Sequence, residues 1–74
     1  MKLRTFDKMN ASIKTYYHVT SKANGDPLDC FLVDYLGDVS NIQKKIDLIK
    51  RGAEVKLFDP STSDPGVLWV YVNV

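Results

Sequence analysis

The segment Ser40-Asn-Ile-Gln-Lys-Lys-Ile-Asp-Leu-Ile-Lys-Arg-Gly52 sets the predicted architecture, because it carries the strongest helix signal in the chain. Ser40 and Gln43 have the spacing of a capping box, in which the hydroxyl and the amide each satisfy a free backbone N–H group. Gly52 stands where many helices end in a left-handed residue, a conformation that glycine adopts without a steric penalty at Cβ. The pattern therefore predicts one helix that begins near Ser40 and ends before Gly52.

The same segment carries an aliphatic stripe. Ile42, Ile46 and Ile49 recur at helical spacing, so they lie on one side of the predicted helix. The rest of the chain reads as strands and turns. We therefore expect a sheet to bury the isoleucine stripe.

Alternating apolar and polar residues predict strands on both sides of the helix. The predicted strands cover 2–6, 12–21, 28–36, 53–58 and 67–74. Asn24-Gly25, between the second and third strands, predicts a hairpin with a two-residue turn in which Gly25 has a positive φ. The order strand, strand, strand, helix, strand, strand predicts a small α+β domain with a largely antiparallel sheet and the helix packed on one face. A curled OB-like barrel is the alternative that this order allows.

The chain of 74 residues is expected to form a single domain, 1–74. No apolar run approaches the ~20 residues that cross a bilayer, and residues 1–7 lack the apolar core of a signal peptide. Cys30 is the single cysteine, so no internal disulfide forms. These features predict an intracellular, cytoplasmic protein without a membrane partner. The net charge of +1 provides little attraction to nucleic acid.

The hairpin register predicts which side chains share a face of the sheet. A two-residue turn at Asn24-Gly25 places Tyr17 opposite Leu32 on the side that the helix covers. The aliphatic residues of the later strands are assigned to that side, because they match the isoleucine stripe. The other side then collects six of the eight aromatic residues, which are Tyr16, Phe31, Tyr35, Phe58, Trp69 and Tyr71.

Such an aromatic face is too apolar to stay bare on an ordinary monomer. Three arrangements would cover this face: residues 1–11 fold over it, the sheet curls into a barrel, or a partner binds it. Packing within the domain is the commoner fate of aromatic residues at strand spacing. Tyrosine and tryptophan also suit interfaces, because they combine contact area with a polar group. The residues predicted to bind a partner are Tyr16, His18, Phe31, Tyr35, Trp69 and Tyr71.

No set of residues favours catalysis, so we predict no enzyme activity, no metal and no cofactor. The register places Cys30 and His18 on opposite faces, which excludes a Cys–His nucleophile pair. One cysteine and one histidine are too few for a structural zinc site. Asp34 is predicted to point toward the core opposite Thr15, where it needs a hydrogen-bond partner.

Leu48 lies on the side of the predicted helix that faces away from the isoleucine stripe. A solvated helix face with one exposed leucine is the ordinary interpretation. The alternative is a second contact patch for an acidic partner. That patch consists of Lys44, Lys45, Leu48 and Arg51.

These observations predict a non-catalytic binding module that uses the aromatic sheet face. The expected partner is another protein or a second copy of the chain, which would give a homodimer. The alternative is a binder of single-stranded nucleic acid, OB-like in fold, that stacks bases on its rings. The rings available for such stacking are Tyr16, Phe31, Tyr35 and Trp69.

Overall fold

The computed structural model describes residues 1–10, 14–34, 39–61 and 63–74, with the backbone only at 39 and 40. Two helices and four strands lie in these ranges. In chain order they are α1 (Leu3–Met9), β1 (Lys14–Thr20), β2 (Pro27–Asp34), α2 (Val39–Lys50), β3 (Glu54–Pro60) and β4 (Val67–Asn73). The expected small α+β domain is confirmed, whereas its sheet differs from the prediction.

The four strands form one open, mixed sheet in the order β2-β1-β4-β3. The β1–β2 and β3–β4 neighbours are antiparallel, but β1 and β4 run parallel at the centre. The prediction of a largely antiparallel sheet is therefore only partly right, because the crossover through α2 brings the second hairpin in beside β1. The described strands do not close on themselves, so the alternative of an OB-like barrel is wrong.

The predicted first strand at 2–6 is wrong, because Leu3–Met9 forms helix α1. Leu3 and Phe6 are three residues apart, so a helix turns both toward the core, and both are buried. Before this helix, Lys2 forms an isolated antiparallel bridge with Glu54. The side chains of α1 and α2 join one core on the same side of the sheet, so residues 1–10 do not cover the other side.

The end of α2 has the predicted geometry. Gly52 has a φ of +77°, its N–H donates to Ile49 O at 3.1 Å, and Ala53 N–H donates to Leu48 O at 3.1 Å. These two bonds form a Schellman motif, which uses the left-handed residue that glycine supplies. The helix begins one residue before the predicted start, and the predicted capping box at Ser40 lies outside the described side chains.

α2 is rotated about its axis relative to the predicted orientation. Leu48 and Lys45 are buried, each with 6% of its surface exposed. Ile46 is half-buried and, among the described residues, lies outside the core that Ile42 and Ile49 contact. The interpretation of Leu48 as an exposed leucine is therefore wrong. Positions 42, 45, 48 and 49 also share one helix side, and that side faces the sheet.

Lys45 occupies a position that faces the core because its charge is paired. Its Nζ lies 3.1 Å from Asp7 Oδ1 on α1, with the lysine side chain 7% exposed and the aspartate 25% exposed. The aliphatic stem of a lysine packs like an apolar side chain when the ammonium group has a polar or charged partner. This ion pair also links the two helices.

The β1–β2 hairpin is shifted by one residue from the predicted register. Its loop is longer than two residues, because Ser21 N–H donates to Asp26 O and Gly25 N–H donates to Ser21 O, both at 2.8 Å. Gly25 has the expected positive φ, +76°. The longer loop moves the pairing by two residues, so Thr20 pairs with Pro27, and a β-bulge at Leu28 then restores one residue. Tyr17 therefore pairs with Phe31, one residue from its predicted partner. Since a slip of one residue exchanges the two faces of a strand, all of β2 turns over relative to β1.

A β-bulge changes the alternation of side chains along β3, with Lys56 as the extra residue. Leu57 therefore lies opposite Tyr71 on the side away from the helices. Phe58 points toward the helices, and its ring centroid lies 5.1 Å from that of Phe6. The prediction placed Leu57 and Phe58 on the reverse faces.

The core lies between the two helices and one side of the sheet. Its buried apolar residues are Leu3, Phe6, Tyr17, Val19, Phe31, Val33, Leu48, Ala53, Val70 and Val72. Thr15 is buried as well, and Asn10 Nδ2 donates to its Oγ1 at 3.2 Å. The prediction that Asp34 points into this core is wrong, because the shifted register pairs it with Lys14 on the other side of the sheet.

Candidate functional site

The side of the sheet away from the helices is the candidate site, and we name it the open face. Two rows of side chains cross its centre in the strand order β2, β1, β4, β3. The first row consists of Cys30, His18, Tyr71 and Leu57, and the second of Leu32, Tyr16, Trp69 and Asp59. Apart from the one carboxylate, these rows carry rings, aliphatic chains and a thiol.

The open face is accessible to a partner. Leu32 and Trp69 are each 37% exposed and Leu57 is 49% exposed, while Tyr16 and Tyr71 are half-buried against their neighbours. Neither described helix lies over this face, because both pack into the core on the other side. Monomeric proteins rarely expose a contiguous apolar patch of this kind without a functional reason.

The imidazole of His18 lies at the centre of an aromatic cluster on this face. It stacks on Tyr71 with ring centroids 4.6 Å apart and an interplanar angle of 14°. Tyr16 and Trp69 flank it at centroid distances of 4.8 Å and 5.5 Å. Nε2 of His18 is buried and has no hydrogen-bond partner among the described residues. Aromatic side chains have few rotatable bonds, so this cluster provides a large contact surface at low entropic cost.

Cys30 and His18 lie directly opposite each other, so the prediction that placed them on different faces is wrong. The cause is the shift of the hairpin register by one residue. Their side chains share no hydrogen bond within the described ranges, and Tyr16 Oη instead donates to Cys30 Sγ at 3.5 Å. This bond, together with the charge that the sulfur can carry, raises the pKa of the Tyr16 phenol. The phenol therefore keeps its proton and does not supply the base that a nucleophilic cysteine requires.

Charged side chains occupy the margin of the open face. Lys14 and Asp59 lie toward one end of the strands, and neither forms an ion pair within the described part of the chain. At the other end, Glu54 Oε1 lies 2.9 Å from Lys22 Nζ and 3.4 Å from Lys2 Nζ. These two ammonium groups hold the pKa of Glu54 below its ordinary value. An apolar centre with a polar margin of both signs is the usual anatomy of a protein interface.

The outer edge of β2 is partly blocked by side chains. Asn41 Nδ2 donates to Leu32 O at 2.7 Å, and Cys30 N–H donates to Asp29 Oδ1 at 2.9 Å. These bonds occupy backbone groups that a docking strand would use, and such edges resist the addition of a strand. The open face is therefore a better candidate for binding than this edge.

The predicted second patch does not form one surface. Lys45 and Leu48 are buried, whereas Lys44 and Arg51 line a groove of about 260 Å³ between α2 and β2. Lys44 Nζ lies 3.5 Å from an Asp29 carboxylate oxygen and 5.5 Å from the centroid of the Phe31 ring. Lys44 and Arg51 stay exposed, but Lys44 is engaged with Asp29 and two members of the set are buried, so Arg51 is the one exposed cation of the set without an ion pair among the described residues.

Four of the six residues predicted to bind a partner share the open face. They are Tyr16, His18, Trp69 and Tyr71. Phe31 is 6% exposed, and its ring lies 5.4 Å from that of Tyr17 in the core, because the shifted register turned β2 over. Tyr35 lies outside the described residues.

Cys30, Leu32 and Leu57 belong to the open face, and sequence reasoning missed them. Asp34 carried a signal for the first two, because the predicted register pointed its carboxylate toward the core at an energetic cost. A shift of one residue removes that cost and brings Cys30 and Leu32 onto the open face. No comparable signal marked Leu57, since the bulge at Lys56 interrupts an alternation that looks regular in the sequence.

No protein-family model matches the chain, and neither a curated protein nor a solved structure matches it. Neither described helix combines the length and the apolar character needed to cross a membrane. Within the described ranges, no three His, Cys, Asp or Glu side chains come together in a way that could hold a metal ion.

Proposed function

We propose that this chain is a non-catalytic binding module that recognises a protein through its open face. The observation that carries the proposal is the accessibility of Leu32, Leu57 and Trp69 beside a cluster of stacked rings, on a sheet whose other side already holds the core. Removing apolar surface from water gains about 25 cal/mol for each Å² that a partner covers. A protein with a complementary apolar surface therefore gains free energy by binding to the open face.

Trp69 is the expected energetic centre of this contact. It lies on the central strand β4, with the rings of His18 and Tyr16 at centroid distances of 5.5 Å and 6.3 Å. Tryptophan and tyrosine dominate the few interface residues that carry most of the binding energy, and such residues lie near the centre of the contact.

Two open hollows flank the aromatic cluster. One measures about 550 Å³ and lies on the β2 side, where Thr20, Pro27 and Cys30 line it together with His18 and Tyr71. The other measures about 380 Å³ and lies on the β3 side, beside Asp59 and Trp69. Open hollows of this kind accept protruding side chains of a protein, whereas small-molecule sites enclose most of the ligand.

The charge around the open face favours a protein over single-stranded nucleic acid. Base stacking needs rings, which this face has, and also a positively charged groove that follows the phosphates. Here Asp59 carries a charge opposite to that of Lys14, and Lys22 is paired with Glu54. The margin formed by these described residues therefore provides no continuous cationic track.

The Trp69→Ala variant tests this proposal. The wild-type chain and the variant are immobilised, exposed to a lysate of the native host, and the retained proteins are quantified by mass spectrometry. Met9→Ala is the matched control, because Met9 is an exposed apolar residue of α1, whose helix packs on the other side of the sheet. We expect one protein to be retained by the wild type and by Met9→Ala, with at least tenfold less retained by Trp69→Ala.

Circular dichroism must show that Trp69→Ala keeps the fold, so that the loss reports on binding. Equal retention by all three chains would contradict the proposal. Retention of nucleic acid in place of protein, with an affinity that falls steeply as salt is added, would favour the nucleic-acid alternative.

A further inference from the structure

We infer that the protein on the open face is a second copy of this chain. This inference rests on the proposed function and specifies its partner. In a twofold dimer the same patch lies on both sides of the contact, so the patch must be complementary to itself. The open face meets that requirement in its shape, its central side chains and its unpaired charges.

The symmetry follows from the strand order. β1 and β4 are central, and β2 and β3 are the outer strands. A twofold axis that runs along the strands between β1 and β4 places β1 over β4 of the second copy and β2 over its β3. Two twisted sheets that pack face to face keep their strands within about 30° of alignment, which this axis allows. The result is a sandwich with both sheets inside and the helices outside.

This axis brings rings over rings. Tyr16 comes over Trp69 of the second copy, and His18 comes over its Tyr71, with the reverse pairs generated by symmetry. Cys30 comes over Leu57, so the accessible thiol and leucine on the outer strands cover each other. Offset aromatic pairs contribute beyond the area that they bury. The apolar centre of each copy is thus covered by the apolar centre of the other.

The unpaired charges fit the same axis. Lys14 is on β1 and Asp59 is on β3, so they lie on opposite sides of the axis toward the same end of the sheet. The rotation carries Asp59 of the second copy over Leu32, the neighbour of Lys14 on the face, within the span of an extended lysine side chain. The same rotation brings Asp59 of the second copy near Asp34, the cross-strand neighbour of Lys14 on this face. Lys14 therefore lies between the two carboxylates and pairs with Asp59 of the other copy, which gives two such ion pairs at the margin.

The area of the face predicts a reversible dimer. With strands about 4.8 Å apart and a rise of about 3.3 Å per residue, four strands of this length present roughly 440 Å² in projection. Two such faces bury about 900 Å² in projection, which is just below the ~1,000 Å² that a stable specific interface exceeds and lies in the range of weak, transient contacts. We therefore expect association that depends on protein concentration, with monomer at high dilution.

Charge reversal tests the inference. Sedimentation velocity is measured over a range of concentrations for the wild type, Lys14→Asp, Asp59→Lys and the double variant. Each single reversal is expected to weaken the dimer by about tenfold or more, because it creates two repulsive contacts, and the double reversal is expected to restore it to within about threefold. Lys8→Asp, an exposed position on α1, is the control and leaves the dimer unchanged.

The fluorescence of Trp69 gives an independent readout, because it is the single tryptophan. Acrylamide quenches it in the dilute monomer, and the quenching falls as the dimer forms. A wild-type chain that stays monomeric at every concentration would overturn the inference. So would a dimer that neither reversal weakens, or one in which Trp69 stays equally quenchable.

These outcomes separate the two proposals. If the wild type is monomeric but still captures another protein through Trp69, the inference of a second copy is overturned and the proposed binding module stands. A dimer that passes the charge-reversal test supports both. A chain that neither dimerises nor binds a protein through Trp69 contradicts both.

Discussion

Lys45 shows how one side chain joins two elements of this small domain. Its stem is buried in the layer formed by the helices, and its ammonium group lies 3.1 Å from Asp7 Oδ1. Taking a charge out of water is costly, and an ion pair offsets that cost only while both partners are present. Lys45 on α2 thus depends on Asp7 of α1 to offset the cost of burying its charge.

Asp7→Asn is expected to destabilise the protein by about 1–3 kcal/mol, below the 3–5 kcal/mol of a fully buried pair, because Asp7 is 25% exposed. Urea denaturation measures the change. The double variant Asp7→Asn with Lys45→Met removes both charges, so it should recover most of the loss. A single variant as stable as the wild type would show that the ion pair does not support the helices.

At the scale of elements, the sequence predicted two local geometries that depend on glycine, but it did not predict helix α1, which it read as a strand at 2–6. The end of α2 at Gly52 and the positive φ of Gly25 are confirmed, because each depends on a glycine and its immediate neighbours. The rotation of α2 depends on contacts with other elements, and the register of β2 depends on a longer loop and a bulge that the Asn24-Gly25 signal does not indicate. Both predictions were wrong. The predicted exposure of Leu48 was a sign that α2 was wrongly rotated. The predicted core position of Asp34 was a sign that the register of β2 was wrong.

Two alanine variants of α2 test the orientation of this helix. Leu48→Ala removes a side chain that is 6% exposed in the core and should cost about 2–5 kcal/mol. Ile46→Ala should cost clearly less, since Ile46 is half-buried outside the described core. Thermal or urea unfolding of the two variants gives the comparison. A larger loss for Ile46→Ala would mean that the helix presents its isoleucine stripe to the sheet after all.

At the scale of the whole molecule, the class of fold was predictable and its strand order was not. Alternation identified the strands near 12–21, 28–36, 53–58 and 67–74, but it carries no information on which distant strands become neighbours. No feature of the sequence therefore predicted the parallel pairing of β1 with β4. The candidate site was predicted in its central part, Tyr16, His18, Trp69 and Tyr71, because these lie on the two strands that keep a regular alternation.

Glu54 joins three parts of the chain, since Lys2 precedes α1 and Lys22 lies in the β1–β2 loop. The hydrogen bonds and charges of Lys22 and Lys2 lower the pKa of Glu54 from 4.5, so the folded state binds this proton less readily than the unfolded state. The contribution of Glu54 is therefore present above pH 4.5 and is lost as the pH falls through the lower pKa of the folded state.

Urea unfolding at a series of acidic pH values measures this loss. Glu54→Gln removes the group that titrates, so the variant should lose less stability than the wild type over the same range. Parallel curves for the two proteins would show that Glu54 does not contribute to the acid sensitivity.

The parallel contact between β1 and β4 also governs how the chain reaches its structure. It joins residues 14–20 to residues 67–73, so the centre of the sheet requires closure of a loop that contains most of the molecule. Contacts between such distant residues slow folding, because the entropy of loop closure is lost before the contacts form. Neither hairpin holds a complete core by itself, since Tyr17 and Val70 come from different hairpins. During synthesis, Tyr17 therefore lacks its core neighbours Val70 and Val72 until β4 has left the ribosome, and this interval is when the chain is most exposed to aggregation.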